Sequence, residues 1–274
     1  MTISNRKPEI LITMSVSQSQ IDRLRQIGNV TLDGWGLTGV RLSEDRLIHK
    51  LQGIDVLLVG YEKVTQKVIE NAHNLKLIGV SRSNPVNVDM DAANKKRIPV
   101  LHAPGRNAIA AAEFTIGLMI AQARHIDQGD RLLRSGKYLG NPLDDLYAEN
   151  TNEDVIWDLD HDSPYTQLRG IELAGRTLGL IGLGNVAIRV ATLAKAFGMR
   201  VIAFTPLRDV LRVKELGIDI VSTQQLFRES DFISLHCNVN SETKSILNHR
   251  AFSQMKPSVY IINKTISVIV NTVS

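Results

Sequence analysis

The feature that most constrains this chain is a strand–turn–helix–strand pattern between residues 176 and 206. Thr177 to Ile181 is a short apolar run that ends at a glycine, which is typical of a buried parallel strand. Gly182, Gly184 and Ala187 follow at the spacing G-x-G-x-x-A. A helical apolar pattern and a second apolar run then complete the unit.

The spacing of these small residues suits the pyrophosphate of a dinucleotide. Gly182 allows the tight turn, Gly184 lets the backbone approach the phosphates, and Ala187 lets the helix pack close to the strand. The free N–H groups and the positive dipole end of the helix then face the phosphates. Because the motif lies in the required context, it predicts binding of NAD or NADP. A glycine turn in an α/β fold without a ligand is the alternative.

The position that normally contacts the ribose hydroxyls is not acidic in this chain. About 20 residues after the glycines the motif expects a carboxylate, and this sequence has Thr205. Losing a charged hydrogen bond of about 1.5–3 kcal/mol would weaken NAD binding roughly 10- to 100-fold. NADP is therefore an alternative cofactor, because no carboxylate would repel its 2′-phosphate. Arg208 lies three residues after Thr205. A solvated arginine at the start of a helix is an equally good interpretation of Arg208.

Length and composition predict a globular protein of two domains, 1–104 and 105–274. The 274 residues are 43% hydrophobic and 22% charged, with one cysteine and a net charge of +4. A single cysteine excludes an internal disulfide framework and favours the cytoplasm. The basic clusters lack interleaved aromatics, and the apolar runs are too short to span a bilayer, so neither a nucleic-acid nor a membrane partner is expected.

The first hundred residues alternate between strand and helix patterns, which predicts a flavodoxin-like parallel sheet. Ser43 is expected to cap one of the helices. The loop from Gly79 to Asp89 is either an anion cradle, since it has hydroxyls, an arginine and free backbone N–H groups, or a polar loop in which Asp89 caps the next helix. The Pro-Gly pair at 104–105 is typical of a break between domains. The predicted strands are 9–14, 30–32, 54–60, 75–80 and 99–102, and the predicted helices are 17–27, 44–51, 65–73 and 88–96.

The second part is expected to form a Rossmann-type doubly wound parallel sheet, so the fold class is α/β throughout. A long helix is predicted from Ala108 to about Leu133, with an apolar face wide enough to be buried between domains or subunits. The acidic stretch 140–163 is expected to be a surface excursion. The predicted strands are 177–181, 200–204, 218–221, 232–235 and 259–262, which leaves the sheet incomplete at its C-terminal end.

Several longer segments resemble one known family, the D-isomer-specific 2-hydroxyacid dehydrogenases, and most of all its phosphoglycerate dehydrogenase branch. The resemblance covers nearly everything from Leu75 to Asn263. It implies a substrate-binding domain hinged to a dinucleotide domain, a homodimer, and hydride transfer between NAD(P) and a 2-hydroxy or 2-oxo acid, with 3-phosphoglycerate among the candidates. The segments are SRSNPVNVDMDAA (81–93), HAPGRNAIAAAEFTIGLM (102–119), GLIGLG (179–184), SDFISLHCNVNSET (230–243) and MKPSVYIIN (255–263).

The resemblance also implies which residues contact the cofactor and the substrate. Those implied near the cofactor are Gly182, Gly184, Asn185, Val186, Ala187, Thr205, Ser83 and Cys237. Those implied near the substrate are Arg82, Ser83 and Asn107. His236 belongs to the same loop motif as Cys237, where the resemblance implies a structural role.

The chain departs from the family most strongly at its end. Ile266 stands where the family has an arginine that binds the substrate, and the family's glutamate–histidine pair would lie beyond Ser274. No catalytic residue and no metal site are therefore assigned, and an impaired enzyme with a truncated or out-of-frame tail is expected. A non-catalytic nucleotide-binding or dimerising protein and a non-functional gene remnant are the alternatives. The smaller departures from the family are Asn84, Ala187, Thr205 and Asn238.

Overall fold

A computed structural model describes residues 6–137, 161, 163–205, 213, 215–237 and 243–264. The chain divides into two compact units, Met1–Arg106 (unit 1) and Asn107–Ser274 (unit 2). Each unit has its own parallel sheet of five strands among the described residues, with helices between them. The predicted α/β class is confirmed.

The sheet of unit 1 has the strand order β2-β1-β3-β4-β5, with all neighbours parallel. This is the flavodoxin-like order expected from the sequence. The strands are β1 (Glu9–Ile12), β2 (Asn29–Leu32), β3 (Val56–Val59), β4 (Leu77–Val80) and β5 (Val100–His102). The helices are α1 (Gln18–Ile27), α2 (Trp35–Thr38), α3 (Glu44–Lys50), α4 (Gln66–Asn71) and α5 (Met90–Lys95).

Short polar residues start the helices of unit 1 as the sequence predicts. The Ser43 hydroxyl accepts a hydrogen bond from the backbone N–H of Arg46 (3.4 Å) at the start of α3. The Asp89 carboxylate accepts one from the N–H of Ala92 (2.9 Å) at the start of α5. Each cap satisfies an N–H group that has no partner within its helix, which fixes where the helix begins.

A buried carboxylate joins the first strands of unit 1. The Asp55 side chain is 4% exposed and forms ion pairs with Arg6 and Lys76, both at 2.8 Å. It also accepts a hydrogen bond from the backbone N–H of Glu9 (2.9 Å). The hydrogen bond from Lys76 is the largest cause of the lowered pKa of Asp55. Burial opposes this shift, whereas the hydrogen bond from Glu9 and the charge of Arg6 lower the pKa further. The folded state therefore favours the charged carboxylate.

We expect Asp55→Asn to destabilise unit 1 near pH 7 by about 1.5–3 kcal/mol, the usual contribution of hydrogen bonds to a charged group. The low end is favoured because both cations are more than half exposed. Because the pKa of Asp55 is lower in the folded protein than in the unfolded chain, its carboxylate stabilises the fold at pH values above the unfolded pKa. This stabilisation is lost as the pH falls through the folded pKa. The difference in unfolding free energy between the two proteins should therefore shrink below about pH 3.8, as measured by urea titration. Asp45→Asn, at an exposed pair with Lys67, should change little; an equal loss there would contradict the role of burial.

The sheet of unit 2 has the order β10-β9-β6-β7-β8 and is also parallel. The strands at 177–181 and 232–235 are mostly apolar and buried because both of their faces are covered. The strands are β6 (Thr177–Ile181), β7 (Arg200–Phe204), β8 (Asp219–Ile220), β9 (Phe232–Leu235) and β10 (Tyr260–Asn263). The helices are α6 (Ala108–Ala123), α7 (Ile126–Arg134), α8 (Pro164–Gln167), α9 (Asn185–Ala196), α10 (Thr223–Glu229) and α11 (His249–Phe252).

The predicted continuous helix from Ala108 to Leu133 is wrong in one respect: the structure has two helices. The carbonyl of Ala123 accepts a hydrogen bond from the N–H of Ile171 (2.8 Å), a residue far along the chain, and His125 takes a left-handed conformation with φ of 52°. The helix therefore ends at Ala123 and a second one begins at Ile126. The apolar face of α6 packs into the core of unit 2 itself, against α9 and β10.

Some predicted features lie outside the described residues. These are most of the acidic stretch 140–163, the position of Arg208, and the tail from residue 265 onward. Among the described residues, no helix is both long and apolar enough to cross a bilayer. In the same part of the chain, no cluster of metal-ligating side chains is found.

Candidate functional site

The glycine turn of unit 2 joins the carboxyl end of β6 to the start of α9. Gly182 has a φ of 93°, and a Cβ atom there would lie 2.8 Å from the backbone nitrogen of Cys237 and 2.9 Å from the carbonyl carbon of His236. Only glycine combines this positive φ with so close an approach of backbone. The loop after β6 and the loop after β9 therefore meet at this residue.

Gly184 is exposed and stands at the N-cap of α9 with open space on its Cβ side. No side chain caps this twelve-residue helix. The N–H groups of the first helical turn, at Asn185, Val186 and Ala187, have no acceptor within the helix and are directed beyond its start. Ala187 is fully buried among the core residues of unit 2, as a small residue at that position should be. This cradle fits the pyrophosphate of a dinucleotide.

Thr205 follows β7 directly and lies beside the glycine turn. The N–H of Gly182 donates to the carbonyl of Phe204 (2.8 Å), which holds the end of β7 against the turn. Thr205 is half-buried there. It therefore occupies the strand end at which the motif expects the ribose-binding carboxylate.

Cys237 and His236 line the opposite side of the turn. The N–H of His236 donates to the carbonyl of Ile181 (2.8 Å), and its Nε2 lies 2.8 Å from the hydroxyl of Ser234. Cys237 is half-buried, and burial raises the pKa of its thiol. Its sulfur is therefore a neutral thiol, not a reactive thiolate.

The imidazole of His236 is held in its neutral form. Burial, with the nearby charge of Lys264 as a second cause, lowers the pKa of His236 to about 3. Nδ1 is buried and has no hydrogen-bond partner among the described residues. Asn263 pairs with Leu235 in the sheet register, which places Lys264 at the carboxyl end of β10 next to this histidine. The pair of Ser234 and His236 was not predicted, although the two residues lie only two positions apart, Ser234 within β9 and His236 directly after it.

The remaining predicted residues lie on two different elements. Arg82 and Ser83 follow β4 at the carboxyl edge of the sheet of unit 1. The carbonyl of Arg82 accepts from the N–H of Ala103 (3.0 Å), and that of Ser83 lies 2.8 Å from Nδ1 of His102. Asn107 is the N-cap of α6 in unit 2 and makes no side-chain capping bond. In unit 2 the structure brings the predicted glycines, Thr205 and Cys237 together around one turn.

The sequence of this chain is similar to that of one known protein family. Residues 116–273 match the NAD binding domain of the D-isomer-specific 2-hydroxyacid dehydrogenases. The chain belongs to this family. The resemblance predicted from the sequence is therefore confirmed, and so is a nicotinamide dinucleotide as the cofactor of the matched domain.

Relatives from several organisms cover most of the chain. A D-3-phosphoglycerate dehydrogenase of Methanocaldococcus jannaschii is 34% identical over 93% of this chain and 43% of its own length. A hydroxypyruvate reductase of Thermotoga maritima is 37% identical over 83% of this chain and 65% of its own length. The chain thus spans less than two thirds of these relatives. A solved structure of Salmonella D-lactate dehydrogenase is 28% identical, covers 96% of this chain and 73% of its own, and has a TM-score of 0.66.

Proposed function

We propose that this chain is the cofactor-binding and substrate-binding part of an NAD(P)-dependent 2-hydroxyacid dehydrogenase. The observation that carries the proposal is the glycine turn between β6 and α9, with Gly182 against the backbone of Cys237. Gly184, Asn185, Val186 and Ala187 would hold the pyrophosphate through backbone N–H groups. When bound, the nicotinamide supplies or accepts the hydride.

The substrate proposed is a small 2-oxo or 2-hydroxy acid. Two candidates are 3-phosphoglycerate and hydroxypyruvate, after which the relatives are named. Arg82, Ser83 and Asn107 are proposed to border it, with Ser83 also beside the cofactor. Arg82 would attract the carboxylate, because a guanidinium pairs with carboxylates in a bidentate manner. The domains 1–104 and 105–274 are retained as proposals, as are a homodimer and a cytoplasmic location.

Slow turnover is part of the same proposal. The resemblance places Ile266, an uncharged residue, at the position of the family's substrate-binding arginine. Loss of one donor to a developing oxyanion costs about 10²–10³-fold in rate. We expect NADH to bind the purified chain, while oxidation of bound NADH by hydroxypyruvate is slow in single-turnover fluorescence. Fast turnover would contradict the impairment. NADH binding with no turnover at all would favour the alternative of a non-catalytic nucleotide-binding protein.

The choice between NAD and NADP is predicted to depend on Thr205. Without a carboxylate at the end of β7, a 2′-phosphate is not repelled, so we expect NADPH to bind at least as tightly as NADH. Thr205→Asp should shift the preference toward NADH by about 10- to 100-fold, since the new carboxylate binds the ribose hydroxyls and repels the phosphate. Fluorescence titration with both cofactors measures the shift.

Thr205→Asn is the matched control, because it has the size of aspartate without the charge and should give a much smaller shift. An unchanged preference in Thr205→Asp would place the ribose elsewhere and contradict the assignment of Thr205.

A further inference from the structure

The carboxyl edge of the sheet of unit 2 carries a lysine that the proposed function does not use. The strands β6, β9 and β10 end in the same row of the sheet register. The residues directly after these three strand ends are Gly182, His236 and Lys264. Since neighbouring strands lie about 4.8 Å apart, the backbone of Lys264 lies roughly 10 Å from that of Gly182.

This part of the edge is the side on which the nicotinamide is expected. In a doubly wound sheet each half binds one mononucleotide, and the pyrophosphate lies between them at the start of the first helix. Thr205, at the end of β7, lies on the side proposed for the ribose of the adenosine half. Since β9 and β10 lie on the other side of β6, we expect the nicotinamide half beyond their ends, where His236 and Lys264 lie.

Lys264 is a half-buried cation without a carboxylate partner. In the part of the chain that the structure describes, no ion pair involves it. By contrast, Lys256, which lies before the start of β10, has its Nζ 2.9 Å from the carboxylate of Asp231 and donates to the carbonyl of Glu229 (2.8 Å). A half-buried ammonium that lacks such a partner has lost hydration without compensation, which an anionic ligand would supply.

The titratable groups on the elements next to this end of β10 do not neutralise Lys264. On the side of β9, burial lowers the pKa of His236 to about 3 and raises the pKa of the Cys237 thiol, so both groups are neutral near pH 7. On the side of α6, which also packs against β10, the one carboxylate of the helix is the exposed Glu113. Burial alone lowers the pKa of Lys264. Its ammonium therefore gives up a proton more readily than that of an exposed lysine.

We propose that Lys264 is a catalytic residue that donates a proton to the 2-oxo oxygen of the substrate while the carbonyl carbon accepts the hydride. The inference rests on the proposed function. The 2-oxo acid is reduced as NAD(P)H is oxidised: a C–H bond forms at the carbonyl carbon, the π electrons of the C=O bond pass to the oxygen, and the oxygen takes a proton from Nζ. Lys264 is left as a neutral amine and regains a proton from water. Before this step its charge binds the substrate carboxylate and polarises the carbonyl.

The test compares Lys264→Met, Lys264→Arg and the control Lys95→Met in the full chain. NADH binding, measured by fluorescence titration, should be unchanged in all three, because none of these residues is proposed to hold the pyrophosphate. Single-turnover oxidation of bound NADH by hydroxypyruvate should fall about 10²–10⁴-fold in Lys264→Met, as expected for the loss of a general acid. Lys264→Arg should lose a similar factor, because a guanidinium keeps its proton. Lys95→Met removes an exposed lysine of α5 and should leave the rate unchanged.

Two further measurements do not depend on turnover. Oxamate has a carboxylate and a neighbouring carbonyl but is not reduced; its binding to the NADH complex should weaken about 10- to 100-fold in Lys264→Met, which lacks the charge, and much less in Lys264→Arg, which keeps it. NMR titration of lysine side chains in the free protein should give a pKa of Lys264 below 10.5. The rate of the wild type should fall as the pH rises through that pKa, because the ammonium is the form that donates.

The outcomes separate this inference from the proposed function. If NADH binds but Lys264→Met turns over as fast as the wild type, the inference is wrong and the proposed cofactor site stands. Wild-type turnover in Lys264→Arg, or a pKa of Lys264 at 10.5 or above, would overturn proton donation by this residue. So would NADH binding by the wild type with no turnover at all. Failure of the wild type to bind NADH would overturn the proposed function and, with it, this inference.

Discussion

Gly182→Ala is expected to destabilise unit 2 by about 2–5 kcal/mol and to abolish measurable cofactor binding. A side chain at a φ of 93° costs about 1–2 kcal/mol in an L-residue. In addition, the new methyl group would lie 2.8 Å from the nitrogen of Cys237 and 2.9 Å from the carbonyl of His236. These contacts are with backbone, so no side chain can rotate away, and overpacking of this kind costs about 1–3 kcal/mol more.

Two other glycines separate the causes of that effect. Gly175 has a φ of 73° and nothing within 4 Å of an added Cβ, so Gly175→Ala should show the cost of backbone strain alone. Gly184 has an ordinary φ of −87° and open space, so Gly184→Ala should leave stability within about 1 kcal/mol. The phosphates are expected to approach the backbone at Gly184. Although its stability is nearly unchanged, Gly184→Ala should therefore bind NADH at least tenfold more weakly than the wild type does.

Urea unfolding and fluorescence titration with NADH measure the two effects separately. If Gly182→Ala is as stable as the wild type, the loops after β6 and β9 do not meet as described. If Gly184→Ala binds NADH normally, the phosphates do not approach the start of α9, and the proposed cofactor site is wrong even though the fold is right.

The local patterns of this chain were sufficient to predict its α/β class and most of its elements. The strands from Thr177 to Ile181, Arg200 to Phe204 and Phe232 to Leu235 have the bounds expected from the sequence. Strands buried on both faces appear as continuous apolar runs between turn residues, and such runs are short-range signals. The glycine turn was predictable for the same reason, because its spacing and its flanking elements are local.

Features that depend on contacts between distant residues could not be predicted. The break between α6 and α7 depends on a hydrogen bond from Ile171 to Ala123, and no pattern near Ala123 indicates it.

Because the pKa of His236 is low, we expect acid to destabilise unit 2. Substitution of His236 should remove this contribution to the pH dependence of stability. Since the folded pKa is about 3 and the ordinary value is 6.5, the unfolded chain takes up a proton below pH 6.5 while the folded protein does not. The stabilisation is therefore fully present above pH 6.5 and is lost as the pH falls from 6.5 to about 3. The slope from this one group is about 1.4 kcal/mol per pH unit.

We expect the difference in unfolding free energy between the wild type and His236→Gln to fall with that slope over this pH range. Carboxylates such as Asp231 are common to both proteins, so their contributions cancel in the difference. His73→Gln removes an exposed imidazole and controls for the loss of a histidine as such; if both variants change the pH dependence alike, burial is not the cause. Titration of the His236 ring by NMR gives the direct test, because a midpoint near pH 6.5 would mean that the imidazole is solvated and that the loop beside the glycine turn is open.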